Sequence, residues 1–408
     1  MAVFYILAPF DPIPGEPGYP ARFATLKLAI EAMGHRCIWW TSSWDHASKS
    51  EREEAEHSSD IRLLKVPGYA SNISFARLRN HRLLAEVYER EVDSAVKSGA
   101  LPPPDLQLIT IPPLETTKAA FSIREQHGGL VVIDVMDRWP DTFFQVLPLP
   151  SKKLRAIAGE FIFMSYRKML RQALKGCDAG TAQSTSFIEW AESYGLGDQP
   201  HHVCYLGADL LHEAQVRAFA EGETLRLAYI GAMGTSYDLE TVFYALRQLV
   251  QKGRKVFLDV AGAGSKEAWM RDYVEQNDLS ECVVFHGYLP KTEAFELLDR
   301  SHLGLVPMFP ESGVVMPYKA CEYAARGLPM VHSLPGELDL MVRKWNAGSI
   351  YTAGDVDSLV RSLDLYSDTP EQIRCQSIAV HELARQHFDR GVTYSDMAAF
   401  LESILPSK

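Results

Sequence analysis

The sequence predicts an α/β protein built from two doubly wound, parallel-sheet domains. Its 408 residues are too many for one ordinary domain and suit two of about 200 residues each. Short apolar runs alternate with helical patterns, as in βαβ units, and this alternation restarts near residues 175–180. We therefore predict an N-terminal domain over 1–176, a C-terminal domain over 177–385, and a helix over 386–408 that packs back on the N-terminal domain.

The first series opens with residues 3–8, an apolar run typical of a strand buried on both faces. A Pro/Gly-rich loop, a helix over about 21–33 and the helix-ending Gly34 follow. Further strands are predicted at CIWWTS and at residues 61–65, 106–110 and 130–135. Residues 151–174 read as one long amphipathic helix.

The second series consists of strand-like runs that often end in glycine or a turn. These runs are CDAGTAQS, HHVCYLG, LRLAYIG, KVFLDVAG, CVVFHG, LGLVPM and PMVHS. Helical segments separate most of them, at 238–252, 265–277, 291–300 and 317–326. Because open α/β sheets bind ligands at the carboxyl ends of their strands, we expect the active site in a cleft between the two domains.

Composition and charge exclude several classes of protein. The net charge of −11 argues against broad nucleic-acid binding, which requires a basic surface. The six cysteines form no CxxC pair, so we expect free thiols and no metal site. No apolar run approaches the roughly 18 residues of a spanning helix, and the first residues lack the basic region of a signal peptide. These features predict a cytoplasmic protein, soluble or peripheral on the inner face of the membrane.

Motifs of several common enzyme classes are missing. The GxG at Gly262-Ala-Gly264 has Glu267 where a dinucleotide fingerprint has its third glycine. No GxxxxGK[ST] and no GxSxG occur, and an HExxH reading of His381-Glu382 fails at Arg385. NTPase, hydrolase and metalloprotease functions are therefore disfavoured.

The most informative stretch is LGLVPMFPESGVVMPYKACEYAARGLPMV, residues 303–331. It predicts a strand, a polar loop, and a helix that begins near Pro317 and ends at Gly327. The amino end of such a helix favours a bound diphosphate. Lys319 and Glu322 share one face of this helix, where an ammonium would neutralise phosphate and a carboxylate would accept hydrogen bonds from ribose hydroxyls. The simpler alternative is a surface ion pair between these two side chains.

This stretch resembles the donor-binding segment of family 4 glycosyltransferases, which are retaining enzymes of the GT-B architecture, through the pattern PxKxxEYxAxGxPVV. The matching residues are Pro317, Lys319, Glu322, Tyr323, Ala325, Gly327 and Pro329. Further motifs resemble those of the family in the same order: YLGAD, LAYIGAMG, DVAGAGSKEAW and VVFHGYLPKTEAFELLDRSHLGLVPM. The N-terminal half resembles a subgroup involved in surface-polysaccharide assembly, through ATLKLAIEAMGHRCIWWTS and VIDVMDRWPDTF. The resemblance covers nearly the whole chain and implies two Rossmann-like domains facing a central cleft.

The resemblance also implies a nucleotide-sugar donor site in the C-terminal half. Glu322 would bind the ribose, and Gly287 and Tyr288 would meet the base through backbone groups. Gly231 would let a strand end approach the phosphates closely. The expected backbone donors to the diphosphate and donor sugar are Ser312, Gly313, Val314 and Val315.

Four residues are placed on the N-terminal side of the cleft: Gly15, Gly18, Asp134 and Asp137. Gly15 or Gly18 would admit the diphosphate, although an ordinary Pro/Gly turn explains them equally well. Asp137 is the candidate base or acceptor-positioning group. Its alternative role is to cap the turn before Trp139-Pro140.

The chain departs from the family pattern at two places. The family has a glutamate eight positions before the one matched by Glu322, and Val314 stands there, with Glu311 as a candidate substitute. The usual arginine and lysine after the first strand of the C-terminal domain are also missing, so neutralisation of the diphosphate falls to Lys319. Because of these departures, the sequence does not identify the donor sugar. They also keep an inactive, nucleotide-sugar-binding partner subunit as an alternative, beside a GT-B nucleotide-sugar epimerase.

By resemblance, the reaction would be a retaining, metal-independent transfer of a hexose-type sugar to a glycan or lipid-linked acceptor. Lys319, Glu322 and Asp137 are the candidate catalytic residues, and the nucleotide sugar is a co-substrate, so no separate cofactor is expected. The leaving diphosphate would help take the acceptor proton, and the protein would stabilise the developing phosphate charge.

Residues 152–175 concentrate positive charge around the apolar sequence FIFM. The basic residues are Lys152, Lys153, Arg155, Arg167, Lys168, Arg171 and Lys175. This pattern predicts docking on an anionic membrane surface, where a lipid-linked acceptor would be reached. The alternative is an ordinary amphipathic helix packed on the first sheet.

Overall fold

The computed structural model describes residues 1–18, 21–52, 60–72, 74–146, 151–210, 216–220 and 222–406. The chain forms two compact units. The first comprises Met1–Cys204 together with Gly391–Lys408, and the second comprises Tyr205–Arg390.

A seven-stranded parallel sheet forms the centre of the first unit. The strands of this unit are β1 (Val3–Leu7), β2 (Arg36–Ser42), β3 (Trp44–Asp45), β4 (Ser50–Glu51), β5 (Ile61–Leu64), β6 (Leu106–Ile111), β7 (Leu130–Val135), β8 (Ala179–Ala182) and β9 (His201–Val203). The order across the sheet is β5-β2-β1-β6-β7-β8-β9, while β3 and β4 pair separately as an antiparallel ribbon. All five residues of the central β1 are buried, which explains its uninterrupted apolar sequence.

The helices of the first unit cover both faces of its sheet. They are α1 (Arg22–Ala32), α2 (Phe75–Lys97), α3 (Thr116–His127), α4 (Lys152–Ile162), α5 (Met164–Gly176) and α6 (Thr185–Tyr194), with a 3-10 helix at Asp141–Val146. The prediction of one helix over 151–174 was wrong, because the helix is interrupted at Phe163. Phe163 leaves the helical conformation and its ring stacks at 5.8 Å on both Phe143 and Phe144.

The second unit contains a six-stranded parallel sheet. Its strands are β10 (Leu225–Ile230), β11 (Val256–Ala261), β12 (Val283–Gly287), β13 (Leu303–Val306), β14 (Met330–His332) and β15 (Gly348–Ile350). Its helices are α7 (Leu239–Gln251), α8 (Glu267–Gln276), α9 (Lys291–Asp299), α10 (Tyr318–Ala325), α11 (Glu337–Trp345), α12 (Val356–Asp368) and α13 (Pro370–His387), with a 3-10 turn at Pro310–Ser312. The strand order β12-β11-β10-β13-β14-β15 places the topological switch point between β10 and β13.

The division between the units falls later than residue 176. Strands β8 and β9, which the sequence pattern assigned to the second series, extend the first sheet beside β7. A last helix, α14 (Arg390–Ser403), follows α13. Its buried Tyr394, Met397 and Leu401 belong to the same hydrophobic cluster as Phe4 of β1.

Each sheet is covered by hydrophobic clusters on its two faces. The predicted class, two parallel-sheet α/β units, is confirmed. None of the helices in the described part of the chain is long and apolar enough to cross a membrane.

Candidate functional site

The switch point of the second unit brings two loops together. One loop follows β10 and the other follows β13. The backbone N–H of Asp238 donates to the carbonyl of Pro307 at 3.1 Å, and that of Phe309 donates to Ser236 at 3.1 Å. The loop that leads into α10 is thereby fixed against the end of β10.

Three glycines stand at the carboxyl ends of adjacent strands in this sheet. Gly231, Gly262 and Gly287 follow or end β10, β11 and β12, with φ angles of 147°, 123° and 66°. The Gly262 N–H donates to the Gly287 carbonyl at 2.7 Å, and a Cβ on Gly262 would lie 1.9 Å from the Gly231 oxygen. Close packing of backbone thus requires Gly262, and the strand ends present a surface poor in side chains.

Lys319 lies in the first turn of α10, beside Gly231. Lys319 is 8% exposed, and its ammonium has no hydrogen-bond partner among the described residues. The Nζ atom is 4.1 and 4.5 Å from the ring centroids of Tyr229 and Tyr237. A Cβ on Gly231 would come within 2.6 Å of Nζ. Any side chain at residue 231 would therefore displace the ammonium.

Burial lowers the pKa of Lys319 from its usual 10.5 to about 7, while the nearby Glu322 opposes this shift. Among the described ion pairs, none within 4 Å joins Lys319 to Glu322. The alternative interpretation, a surface ion pair between these two side chains, is therefore wrong. In its place stands a buried cation that is compensated mainly by aromatic rings.

Glu322 lies one turn further along α10 and is partly buried. Burial raises the pKa of its carboxyl group, and Lys291, Arg390 and Lys319 act in the opposite direction. The neighbouring Tyr323 holds the helix in place, because its hydroxyl accepts the backbone N–H of Ile230 at 3.0 Å. Glu322 therefore has a fixed position near three cations and near the Asp209 carboxylate, which acts on its pKa in the same direction as burial.

The sequence interpretation missed two cations of this environment. Lys291, the first residue of α9, pairs with Asp209 at 2.6 Å, and Arg390 pairs with the same carboxylate at 3.4 Å. Arg390 also donates to the Tyr318 hydroxyl. Asp209 belongs to the motif YLGAD, and this motif could have indicated that Asp209 lies near the site. Nothing in the sequence around Arg390 indicates that it returns to this place.

The two residues expected to meet a base differ in exposure. Tyr288 is strongly exposed, whereas Gly287 forms part of the packed strand ends described above. The Gly287 carbonyl is already an acceptor for Gly262. Base contacts would therefore involve the remaining backbone groups around Tyr288.

The loop before α10 contains the expected diphosphate and sugar donors. Ser312 ends the 3-10 turn, Gly313 has a φ of 74°, and Val314 and Val315 follow. The Val314 N–H donates to the Ser312 hydroxyl at 3.3 Å, so this donor already has an internal acceptor. Val314 is exposed, and so is Glu311 on the preceding turn.

In the first unit, Asp134 is fully buried near the end of β7. Its two oxygens accept from Arg22 at 2.9 and 3.1 Å, and one of them also accepts from the Thr181 hydroxyl at 2.6 Å. The structure therefore places Asp134 in an interior ion pair rather than at the surface.

Asp137 is partly buried, and its carboxylate is held by its own turn. It accepts the Arg138 N–H at 2.7 Å, the Thr142 hydroxyl at 2.8 Å and the Trp139 indole N–H at 3.1 Å. This geometry matches the capping alternative, and it also fixes the orientation of the carboxylate.

Gly15 and Gly18 are exposed and have φ angles of 92° and 86°. Their loop is a turn in which the Glu16 N–H donates to the Ile13 carbonyl and the Ile13 N–H donates to the Glu16 carboxylate. Gly15 lies within this turn and Gly18 follows it, and the positive φ angle of each favours glycine. That either glycine admits a diphosphate stays a prediction.

Within the described residues, no group of three or more His, Cys, Asp or Glu side chains is arranged to hold a metal ion. All six cysteines are free thiols.

Comparisons with known proteins assign the second unit to a class. Residues 224–367 match the family described as Glycosyl transferases group 1. The second unit therefore contains a domain of that family, and the match includes Gly231, Lys319 and Glu322. Asp209 and Arg390 lie outside it.

Among similar sequences, the amylovoran biosynthesis glycosyltransferase AmsK of Erwinia amylovora is 24% identical over 185 residues, which are 45% of this chain and 46% of AmsK. The chain spans about half the length of the first curated relatives it matches. The recognised resemblance to glycosyltransferases of surface-polysaccharide assembly is thereby confirmed.

Two solved structures show the fold over nearly the whole chain. Sucrose-phosphate synthase from Thermosynechococcus elongatus gives a TM-score of 0.68 at 15% identity and covers 99% of both chains. HepE of Anabaena, solved in complex with UDP, gives 0.65 at 15% identity and covers 99% of this chain and 100% of its own. The two units are those of the GT-B class, as predicted.

Proposed function

We propose that this chain is a glycosyltransferase that moves a hexose-type sugar from a nucleotide diphosphate to a glycan or lipid-linked acceptor, in the synthesis of a surface polysaccharide or glycoconjugate. The observation that carries the proposal is the environment of Lys319. The buried ammonium of Lys319, which has no hydrogen-bond partner among the described residues, lies beside Gly231 at the switch point of a group 1 glycosyltransferase domain.

In this proposal the diphosphate lies between Gly231 and the amino end of α10. Lys319 and the helix dipole stabilise the charge that develops on the leaving diphosphate. Glu322 accepts hydrogen bonds from the ribose, and the backbone around Tyr288 meets the base. The UDP complex of HepE supports a nucleotide as the ligand. We further propose a retaining, metal-independent transfer.

On the acceptor side we keep Asp137 as the proposed positioning group or base. The Arg138 N–H and the Thr142 hydroxyl of the following 3-10 helix fix the orientation of its carboxylate. Asp137→Asn keeps most of this turn and removes the basic oxygen. We expect it to lower transfer by about 10²–10⁴-fold with little change in the melting temperature, whereas an unchanged rate would leave Asp137 with the capping role alone.

We propose that the protein works in the cytoplasm and contacts an anionic membrane through residues 152–175. Exposed apolar and basic side chains of α4 and α5 support this contact. The side chain of Lys152, one of the predicted basic residues, lies outside the described part of the structure.

The experiment that tests the donor site is a thermal-shift and calorimetric screen with UDP, GDP, ADP, dTDP and their common sugar conjugates, with and without Mg²⁺. We expect one nucleotide to stabilise the protein without Mg²⁺, and Glu322→Ala to weaken its binding. Glu275→Ala, which removes an exposed glutamate of α8, is the matched control. Unaltered affinity in Glu322→Ala rules out the ribose contact. Nucleotide binding without transfer or donor hydrolysis would favour the inactive partner subunit.

A further inference from the structure

The first unit contains an apolar pocket to which the roles above assign no ligand. It has a volume of about 300 Å³ and is lined by Asn72, Ser74, Phe75, Arg77, Leu78, Trp139, Phe143 and Phe163. This volume lies at the lower end of the roughly 300–1,000 Å³ of ligand pockets. The lining residues belong to the start of α2, the segment after β7, and the junction of α4 with α5.

Aromatic rings form one wall of this pocket. Trp139 and Phe143 pack edge to face at 4.4 Å, and Phe143 stacks on Phe163 at 5.8 Å. Rings that support each other in a row give a rigid apolar surface. Such a wall suits a hydrocarbon chain and offers few hydrogen bonds to a sugar or a peptide.

The apolar surface continues outside the pocket. Phe75 is 91% exposed, and Phe161 and Met164 at the α4–α5 junction are 75% and 65% exposed. Leu154 and Ile157 of α4 are also exposed, whereas Gly159 is buried so tightly that a Cβ there would lie 2.5 Å from the Phe144 ring. Helix α4 therefore turns a glycine to the protein and apolar side chains to the outside, the reverse of an ordinary surface helix.

Arg77 supplies the charge of the pocket. It is only 8% exposed, and no described carboxylate lies within 4 Å of its guanidinium. Its neighbours are the rings of Trp139, Phe10 and Tyr69, at 4.6, 5.6 and 5.8 Å. It donates to His81 at 3.3 Å and to the Asn72 carbonyl at 2.9 Å. Both of these acceptors are uncharged at neutral pH.

The surroundings of Arg77 leave its charge largely uncompensated. Burial lowers the pKa of His81 to about 3 and that of His46 to about 4, so both imidazoles are neutral at pH 7. Lys49 adds a second cation nearby. Two carboxylates act on the neighbours of Arg77: Asp45 acts on Lys49 and Tyr69, and Glu115 lies 3.9 Å from His81. Asp137 attracts Arg77 from beyond ion-pairing distance, and its oxygens are taken by its own turn. A nearly buried cation without a close anion favours an anionic ligand.

We propose that this pocket binds a lipid phosphate: one hydrocarbon chain along the aromatic wall and a phosphate or diphosphate ester paired with Arg77. A guanidinium is well matched to phosphate oxygens, and the exposed apolar residues give the chain a path from a membrane. Under the proposed function, this ligand is the lipid portion of the acceptor. That assignment rests on the proposed function, whereas the binding itself does not.

The test is calorimetric titration of the full chain with octyl phosphate below its micellar concentration, beside inorganic phosphate and 1-octanol. We expect saturable binding of octyl phosphate, about tenfold or more tighter than either comparison compound. Leu78→Asp should weaken it about tenfold, while Leu28→Asp, which changes an exposed leucine of α1 in the same unit, should not. Arg77→Gln should abolish the preference for octyl phosphate over octanol.

Equal affinity of Leu78→Asp and Leu28→Asp for octyl phosphate would overturn the proposal that this pocket binds it. So would adsorption to phosphatidylglycerol vesicles without saturable binding of octyl phosphate, because that result describes a bilayer surface only. Nucleotide stabilisation is measured on the same samples. If nucleotides bind and octyl phosphate does not, this inference fails alone. If octyl phosphate binds and no nucleotide does, the pocket stands and the proposed function fails.

Discussion

Each unit has a buried cation in the first turn of a helix that follows a sheet strand. The two cations differ in the groups that compensate their charge. Arg22 of α1 meets both oxygens of Asp134 at 2.9 and 3.1 Å. Lys319 of α10 contacts the rings of Tyr229 and Tyr237, and no hydrogen-bond acceptor for it occurs in the part of the chain that the structure describes. The paired cation belongs to the interior of its unit. The cation without a counterion, Lys319, lowers the stability of the folded protein, and an anionic ligand would compensate its charge.

The largest expected effect follows from removing the anion of the compensated pair. Asp134→Ala leaves Arg22 buried without a counterion, so we expect a loss of about 3–5 kcal/mol in the free energy of unfolding. Urea denaturation would measure this loss. A loss below about 1 kcal/mol, the size expected for a surface pair, would show that Arg22 is not held as described.

The uncompensated cation should behave in the opposite way. Lys319→Met removes a buried charge and keeps most of the side-chain volume, so the protein without ligand should be as stable as the wild type or more stable. Nucleotide diphosphate binding should weaken by about 1.5–3 kcal/mol, as for the loss of one charge-assisted hydrogen bond. Calorimetry and denaturation of the same preparation give both values. Destabilisation together with unchanged affinity would assign Lys319 to the core alone.

Only part of the difference between the two cations could be predicted from the sequence. The spacing of Pro317, Lys319, Glu322 and Gly327 predicted the helix itself, because these positions depend on local geometry. That this helix meets a phosphate stays a prediction. The burial of Lys319 could not be predicted, since Tyr229 and Tyr237 come from another strand and its loop. Without these two rings, a surface ion pair with Glu322 stayed open as the alternative.

Long-range structure limited the other predictions as well. The short strands β8 and β9 carry the same signals as those of the second unit, and only their pairing with β7 shows where they belong. The break at Phe163 depends on stacking with Phe143 and Phe144. Arg390 reaches Asp209 from the far end of its unit. Local patterns predicted the elements, and tertiary contacts decided their partners.

The smallest effect expected for a single step of the measurement, here one pH unit, is on the pH dependence of stability. The folded protein holds the pKa of Lys319 at about 7, below its usual 10.5. Between these values the unfolded chain keeps a proton that the folded protein has released, so raising the pH favours the folded state. The wild type should therefore gain stability relative to Lys319→Met above pH 7, by at most about 1.4 kcal/mol per pH unit. Parallel stability curves from pH 7 to 9 would contradict the lowered pKa.

The most direct test of the account is the number of protons taken up when a nucleotide diphosphate binds. Calorimetry at pH 8, in two buffers with different ionisation enthalpies, measures this number for the nucleotide that stabilises the protein most. If the diphosphate is the missing partner of Lys319, it raises the pKa of that ammonium, and the wild type takes up a proton that Lys319→Met does not. Binding without proton uptake, or with equal uptake in both proteins, would show that the phosphates do not meet Lys319.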